Sequence, residues 1–285
     1  MTGKFKAACV QVTAARELAP NIEKAVKLGR EARALGADFI AYPENVTMIE
    51  PAGAEAIRKA LPEAEHPGIP AFRALARETG AWILAGSLSI RAGEKKYANR
   101  SFLIDAGGTI VARYDKLHLF VVDLAGGERY RESERIVPGD RAVVAPTPWG
   151  LLGMTVCYDV RFPQLYRSLA KAGAAMFTVP AAFTEQTGRA HWHILNRARA
   201  IECGAFVIAP AQCGIHAQGR RTFGHSLIVD PWGEVLAEGG ESEGVIVAEI
   251  DLAKSAEARR RIPSLQHDRL FAAPEPPAQS RDAAE

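Results

Sequence analysis

The chain has 285 residues, of which 48% are hydrophobic and 24% charged, and its formal net charge is +2. This composition is close to the average for folded globular proteins, so it excludes a disordered or fibrous chain. The scattered basic residues exclude an extended nucleic-acid surface, and no apolar stretch approaches the length of a membrane-spanning helix.

The first part of the sequence alternates predicted strands and helices. Short apolar runs predict buried strands, and apolar residues three and four positions apart predict helices. The first helix is predicted to end at Gly36, because glycine readily adopts the left-handed conformation that terminates helices. The predicted elements are strand 6–12, helix 21–35, strand 38–42, helix 70–79, strand 82–90 and hairpin 101–112.

The same alternation continues through the second part of the sequence. It predicts an α/β fold with one domain over residues 1–271. The tail, 272–285, is rich in proline and weakly apolar, so it is predicted to be flexible. The predicted elements are strand 151–156, helix 162–171, strand 174–179, helix 188–203, strand 206–209, hairpin 225–237 and strand 244–250.

One sequence phrase occurs twice. Residues 101–112 read SFLIDAGGTIVA and residues 225–237 read HSLIVDPWGEVLA. Both have an apolar pair, Asp, two residues, Gly, one residue, an apolar pair and Ala. Since β-hairpins in general share such features, the likeness is compatible with coincidence or with a fold of two similar halves.

Cysteine usage predicts both the compartment and a candidate nucleophile. The four cysteines, at positions 9, 157, 203 and 213, are too few and irregularly spaced for a disulfide framework, which favours a reducing, cytoplasmic location. The N-terminus also lacks the apolar core of a signal peptide. Cys157 ends a predicted strand just before a helix, where helix and backbone N–H groups favour a thiolate. An inert core cysteine is the alternative interpretation.

Two further charged residues follow predicted strands in the same way as Cys157. Amide hydrolysis needs a nucleophile, a proton carrier and a donor for the oxyanion, and Glu44 and Lys116 have the chemistry of the last two. Partial desolvation is expected to raise the pKa of Glu44 toward neutrality. Each charge alone is compatible with an exposed surface residue, but strand ends are where open sheets place their sites.

Three motifs resemble the catalytic signatures of the nitrilase, or carbon-nitrogen hydrolase, superfamily, in the family's order. They are YPEN at Glu44, YDKLHLF at Lys116 and CYDVRFPQL at Cys157, and the resemblance covers residues 5–269. It implies that Glu44 is the general base and acid, Lys116 the oxyanion stabiliser and Cys157 the nucleophile, with no metal or organic cofactor. The implied fold is a four-layer αββα sandwich of two pseudo-symmetric halves, and the implied assembly is a dimer or a larger homo-oligomer.

The resemblance also implies supporting residues. An accessory glutamate maps onto Glu132 in RESERIVPGD, with Glu128 and Glu134 as near competitors. The backbone N–H of Tyr158 would bind the oxyanion together with Lys116.

A narrower resemblance concerns the substrate. The segments AHWHILNRARAIE, AQCG and GHSLIVDPWG are similar to the deaminated glutathione amidase branch, which implies a small amide carrying carboxylates. An omega-amidase acting on α-ketoglutaramate-like acids and a nitrilase acting on a small nitrile are the alternatives. Phe183 and Thr184 are candidates for lining the pocket. Guanidinium groups bind carboxylates bidentately, so the candidate carboxylate partners are Arg161, Arg199, Arg220 and Arg221.

Other classes of function are less compatible with the sequence. A metal hydrolase could use His191 and His193 with His216 and His225, but residues two apart on a helix point to different faces. A scaffold that had lost its chemistry would be expected to lack part of the Glu-Lys-Cys set.

A cysteine protease pairing Cys157 with His118 lacks the local signatures of the papain and caspase families. His118 is instead predicted to support Lys116. The predicted partner is a small-molecule amide, with no nucleic acid and no membrane.

Overall fold

The secondary structure comes from a computed structural model that describes residues 3–124 and 129–274. The first strands are β1 (Lys4–Gln11), β2 (Phe39–Ala41), β3 (Trp82–Arg91), β4 (Tyr97–Ile104), β5 (Ile110–Asp115), β6 (Val121–Asp123), β7 (Arg129–Arg131) and β8 (Ile136–Val137). The remaining strands are β9 (Val143–Pro146), β10 (Leu151–Met154), β11 (Met176–Thr178), β12 (Phe206–Ala209), β13 (Cys213–Ile215), β14 (Arg221–Phe223), β15 (Leu227–Val229), β16 (Val235–Glu238) and β17 (Gly244–Asp251). The α-helices are α1 (Leu18–Ala34), α2 (Gly53–Lys59), α3 (Gly68–Thr79), α4 (Pro163–Lys171), α5 (Glu185–Cys203) and α6 (Ala253–Arg261).

Two large sheets have the same strand pattern. The first has the order β17-β1-β2-β3-β4-β5, with β8 paired to β4, and the second has the order β9-β10-β11-β12-β15-β16. In each sheet three parallel strands are flanked by one antiparallel strand on one side and two on the other. The repeated sequence phrases form the equivalent hairpins β4–β5 and β15–β16. The prediction of two similar halves is therefore confirmed.

The alternation of side chains along β1 shows how the layers stack. Ala8 and Val10 pack in a cluster with residues of α1 and α3. Phe5 and Cys9 point to the other face and pack in a cluster that contains the second sheet and residues of α4 and α5. Since successive strand residues face opposite sides, β1 contributes to two cores. The layers are helix, sheet, sheet and helix, as predicted for the four-layer αββα sandwich.

The ends of the helices follow local signals. Gly36, with φ of 91°, follows the end of α1 as predicted, but α1 and α5 each begin three residues earlier than the apolar spacing suggested. The hydroxyl of Thr184 accepts a hydrogen bond from the N–H of Thr187, which caps α5. The described helices include none that is long and apolar enough to cross a membrane. Of the predicted flexible tail, residues 275–285 lie outside the described residues.

Gly86 in β3 lies against the backbone that leads to Glu44. A Cβ atom at Gly86 would lie 1.7 Å from the carbonyl oxygen of Tyr42 and 2.6 Å from that of Pro43. We expect Gly86→Ala to lower the free energy of unfolding by about 2–3 kcal/mol, because the strand end must move to admit the methyl group. Enzymatic activity is expected to fall with it, since Glu44 follows directly. Urea unfolding and a turnover assay measure the two effects.

Gly107 provides the matched control for this substitution. A Cβ atom there would meet only Asp105 Oδ1, at 3.3 Å, which belongs to a side chain that can move. Gly107→Ala is expected to change the free energy of unfolding by less than about 0.5 kcal/mol. If Gly86→Ala behaved like this control, the close approach at Tyr42 would not constrain the strand end.

Candidate active site

A small pocket contains most of the residues predicted for the active site. Its volume is about 10 Å³, and it lies beside the ends of β2 and β10. Lys116 is 1% exposed, and its ammonium group contacts the pocket residues Glu44 and Glu132. The residues lining the pocket are Glu44, Phe120, Glu132, Cys157, Tyr158, Ala182, Phe183, Thr184, Thr187 and Arg220.

Cys157 occupies a sharp turn after β10. Its φ of 51° is in the left-handed region, and it begins a short 3₁₀ helix, Cys157–Arg161. Its N–H donates to the carbonyl oxygen of Pro180 at 2.8 Å. A non-glycine residue in this region costs about 1–3 kcal/mol, and such strain is typical of nucleophiles presented on a strand-to-helix turn.

Asp159 holds the turn in place. The fully buried carboxylate accepts hydrogen bonds from the Val156 N–H at 2.8 Å and from the Tyr114 hydroxyl at 2.6 Å. The N–H of His118 donates to its other oxygen at 3.0 Å. The turn carrying the thiol is thereby tied to β5 and to the segment after Lys116.

Glu44, Lys116 and Glu132 form a buried chain of charges. Lys116 Nζ lies 2.8 Å from Glu44 Oε1 and 2.9 Å from Glu132 Oε2. Asn99 also donates to Glu44 Oε1, at 2.8 Å, and the N–H of Ala182 donates to Glu44 Oε2, at 3.0 Å. Each oxygen of Glu44 is therefore held by a protein donor, so the orientation of the carboxylate is fixed.

The electrostatics of Glu44 differ from the sequence-based expectation. Burial raises the pKa of Glu44, but the charge and hydrogen bond of Lys116, with hydrogen bonds from Cys157 and Asn99, outweigh it and lower the pKa below its usual value. The expected shift toward neutrality is wrong, because the nearby ammonium compensates for desolvation. Burial also opposes the charge of Lys116, but Glu132 and Glu44 raise the pKa of Lys116 well above its usual value.

The expectation that the helix would favour a thiolate at Cys157 is also wrong for the free site. Burial and then the Glu44 carboxylate raise the pKa of Cys157 well above its usual value, although Lys116 and the Ala182 N–H oppose the shift. The resting site therefore contains a protonated thiol beside an ionised carboxylate. Such a pair is arranged for proton transfer when the sulfur attacks.

The structure distinguishes two of the three accessory glutamate candidates, Glu132 and Glu134. Glu132 contacts Lys116 Nζ and also accepts a hydrogen bond from the Phe120 N–H at 2.8 Å. Glu134 lies on an outer groove instead. Glu128 falls outside the described residues.

The substrate-binding candidates have different positions. Phe183, Thr184 and Tyr158 line the pocket together with Arg220. Arg161 does not line it: its guanidinium lies over the Tyr158 and Phe183 rings, at 5.7 and 5.5 Å.

The other two arginine candidates are also outside the pocket. Arg199 is buried and donates to the Val160 carbonyl and to Glu202, at 2.8 and 2.7 Å, which is a structural arrangement. Arg221 lies on the outer groove.

The histidines are placed away from Cys157. His118 bonds to Asp159 and stacks on Phe162 at 3.5 Å, and among the described residues it forms no hydrogen bond to Lys116; its predicted support of Lys116 by packing stays a prediction. His191 contacts Arg161, whereas His193 contacts Glu238, as expected for two faces of one helix. His216 bonds to Ala14 and Thr222. His193, His225 and Glu238 have ligand-type atoms within 4.8 Å of one another, and none of the three lines the pocket.

Sequence reasoning missed Asn99 and Phe120. Asn99 is fully buried in β4, but Arg100 and Ser101 follow it directly, so no signal in the sequence set this polar residue apart. Phe120 lines the pocket after a turn whose position depends on contacts distant in sequence. No local pattern identified it.

Comparison with known proteins places this architecture in a family. Residues 6–260 match the family model for carbon-nitrogen hydrolases. The chain belongs to that family, and it is an enzyme that hydrolyses carbon-nitrogen bonds. The resemblance found in the sequence is confirmed.

Individual relatives give a narrower likeness. The chain is 40% identical to "Deaminated glutathione amidase" of Synechocystis sp., over 94% of this chain and 98% of the relative. It is 35% identical to "Omega-amidase NIT2" of Xenopus tropicalis, over 91% and 93%. The crystal structure of the C. elegans NitFhit protein matches with a TM-score of 0.88 and 36% identity, covering 94% of this chain and 66% of that one.

Proposed function

We propose that the enzyme is an amidase that hydrolyses deaminated glutathione through a thioester on Cys157. The observation that carries this proposal is the buried contact of Lys116 with Glu44, beside the thiol, in a chain 40% identical to an amidase of that name. Deaminated glutathione is a small amide with carboxylates, in agreement with the sequence-based expectation.

The proposed first step transfers one proton and forms one bond. The Cys157 thiol, hydrogen-bonded to the ionised Glu44, gives its proton to that carboxylate as the sulfur attacks the amide carbon. The oxyanion is stabilised by Lys116 and by the backbone N–H of Tyr158. Glu44 then protonates the leaving amine as the carbon-nitrogen bond breaks.

The second step regenerates the thiol. A water molecule gives a proton to Glu44 as its oxygen attacks the thioester carbon. The carbon–sulfur bond then breaks, the acid is released, and Glu44 returns the proton to the Cys157 sulfur. Glu132 keeps Lys116 charged throughout, because the carboxylates that surround this lysine raise its pKa. Lys116 therefore acts as a fixed positive charge, and Glu44 carries the proton.

The second candidate function is an omega-amidase that releases ammonia from α-ketoglutaramate, supported by the 35% identity to an enzyme of that name. Nitrile hydrolysis is a third use of the same residues. The family resemblance further supports a homo-oligomer that works without a cofactor, and the cysteine usage supports a cytoplasmic location. Light scattering of the purified protein would test the assembly, and a monomer would contradict it.

Steady-state kinetics on three substrates distinguishes these functions. We expect kcat/KM for deaminated glutathione to exceed that for α-ketoglutaramate by at least about tenfold, a difference of roughly 1.4 kcal/mol in transition-state binding. A simple nitrile is expected to be turned over most slowly. A preference for α-ketoglutaramate would instead support the omega-amidase, and a preference for the nitrile would support a nitrilase.

A further inference from the structure

A large groove adjoins the pocket that holds Cys157. Its volume is about 1060 Å³, compared with about 10 Å³ for the inner pocket. Arg220 lines both and lies at their boundary. The inner pocket has room for about one water-sized molecule, so at least one side of an amide substrate must extend into the groove.

The groove is strongly basic. It is formed by α2 and Pro51 before it, by β7 and the segment after it up to Arg135, by the first turns of α5, and by the loop that leads into β14. Six arginines and two glutamates line it. The arginines are Arg129, Arg131, Arg135, Arg189, Arg220 and Arg221.

Four of these arginines have carboxylate partners. Arg129 and Arg131 pair with Asp123, at 3.4 and 2.7 Å. The other two pair with Glu185, Arg189 at 2.8 Å and Arg221 at 3.9 Å. Each carboxylate is shared by two arginines, and Glu241 lies 3.5 Å from Arg189, so the charges of these four are offset in part.

Arg135 and Arg220 are different. Arg135 donates to the Pro51 carbonyl at 3.3 Å and Arg220 to the Ala182 carbonyl at 3.2 Å, and neither forms an ion pair with a carboxylate of residues 3–124 or 129–274. In each, the Nε atom is buried and has no hydrogen-bond partner among the described residues. A buried donor without a partner is unfavourable. An anion that reached these guanidinium groups would be stabilised both by their positive charge and by hydrogen bonds.

We propose that the groove binds the amine side of the amide substrate, and that Arg135 and Arg220 bind a carboxylate on that side. This rests on the proposed amidase function. The acyl side becomes the thioester and stays bonded to Cys157 until water attacks, whereas the amine must leave toward solvent. The open, basic side of the site is therefore the leaving-group side.

The groove lets the enzyme discriminate between two substrates that have the same acyl group but different leaving groups. The leaving group of deaminated glutathione is a dipeptide with a terminal carboxylate, whereas α-ketoglutaramate releases ammonia, which has nothing to place in the groove. Arg135 and Arg220 should therefore favour the dipeptide amide.

The test compares Arg135→Gln and Arg220→Gln with the wild type on three substrates. These are deaminated glutathione, its C-terminal carboxamide and α-ketoglutaramate. For deaminated glutathione we expect each variant to lose about 10- to 100-fold in kcat/KM, mainly through KM, because a charge-assisted hydrogen bond is lost. For the other two substrates we expect Arg135→Gln to change kcat/KM by less than about threefold, which also shows that this variant folds. Arg220 also lines the pocket that holds Cys157, so Arg220→Gln is judged by comparison: its loss on deaminated glutathione should exceed its loss on the other two substrates by about tenfold. Arg141→Gln, at an exposed arginine paired with Asp140, is the matched control.

The possible results have distinct meanings. If the variants lost activity equally on all three substrates, or kept the wild-type preference for the carboxylate over the carboxamide, the assignment of the groove would be overturned while the amidase function stood. If the wild type hydrolysed none of the three amides, the proposed function and the groove assignment would both fall.

Discussion

Cys157→Ala is expected to lower kcat/KM for amide hydrolysis by about 10⁴-fold or more, because no other described side chain in the pocket is a thiol that can form the acyl intermediate. The fold should persist, since alanine accepts the same positive φ as cysteine and Asp159 still holds the turn. The measurements are amine release and the thermal unfolding midpoint.

Cys203→Ala and Cys213→Ala are the matched controls. Both cysteines are buried and neither lines the pocket, so both variants should keep activity within about threefold. Mass spectrometry of the enzyme during turnover should find the acyl adduct on Cys157. Hydrolysis that survived Cys157→Ala, or an adduct on another cysteine, would contradict the thioester mechanism.

Glu44→Gln is expected to lower kcat by about 10²–10⁴-fold, the range for loss of a general acid–base group. The two oxygens of Glu44 accept hydrogen bonds from Lys116 and Asn99 on one side and from the Ala182 N–H on the other. A glutamine must present its NH₂ group to one of these donors, so the side chain cannot satisfy both sides. We therefore expect turnover to fall both because the acid–base group is lost and because the hydrogen bonds around this side chain cannot all form.

The same substitution should make the thiol easier to ionise. Burial is the largest cause of the raised pKa of Cys157, and the Glu44 charge is the second. Removing that charge leaves burial in place but lowers the pKa toward the usual value, so alkylation by iodoacetamide should begin at lower pH in Glu44→Gln than in the wild type.

Alkylation rates against pH for wild type, Glu44→Gln and Glu249→Gln provide the measurement. Glu249 is exposed and, among the described residues, forms an ion pair with Lys4 alone, at 4.0 Å, so its loss should leave the profile unchanged. A Glu44→Gln profile that coincided with the wild type would mean that the carboxylate does not control the protonation of the thiol.

Local sequence patterns account for the main elements of the fold but not for their pairing. The long helices and the repeated hairpins were predictable because their apolar spacing lies within one segment. The strands β6, β7, β8, β13 and β14 have two or three residues each, too few to show a period. The order of strands depends on contacts between distant segments, so no local pattern predicted it, and the four-layer arrangement was expected only from family resemblance.

The candidate site was likewise predictable from the sequence only in part. Glu44, Lys116 and Cys157 were identifiable because each follows a strand and lies in a recognisable motif. The direction of the pKa shift at Glu44 was not predictable, since it depends on how closely Lys116 approaches. The sequence also offered no basis for choosing among the candidate substrate-binding arginines. Only the tertiary contacts distinguish Arg199, which has a structural role, from Arg220, which lines the pocket.

The pairing of β1 with β17 affects how the protein can be made. The two strands pair over their full length, Lys4 with Asp251 through Gln11 with Gly244. While the ribosome is still adding the intervening residues, β1 has an unpaired edge, and such edges promote aggregation of incomplete chains. The sheet that carries Glu44 is completed only after β17 has been synthesised and has paired with β1.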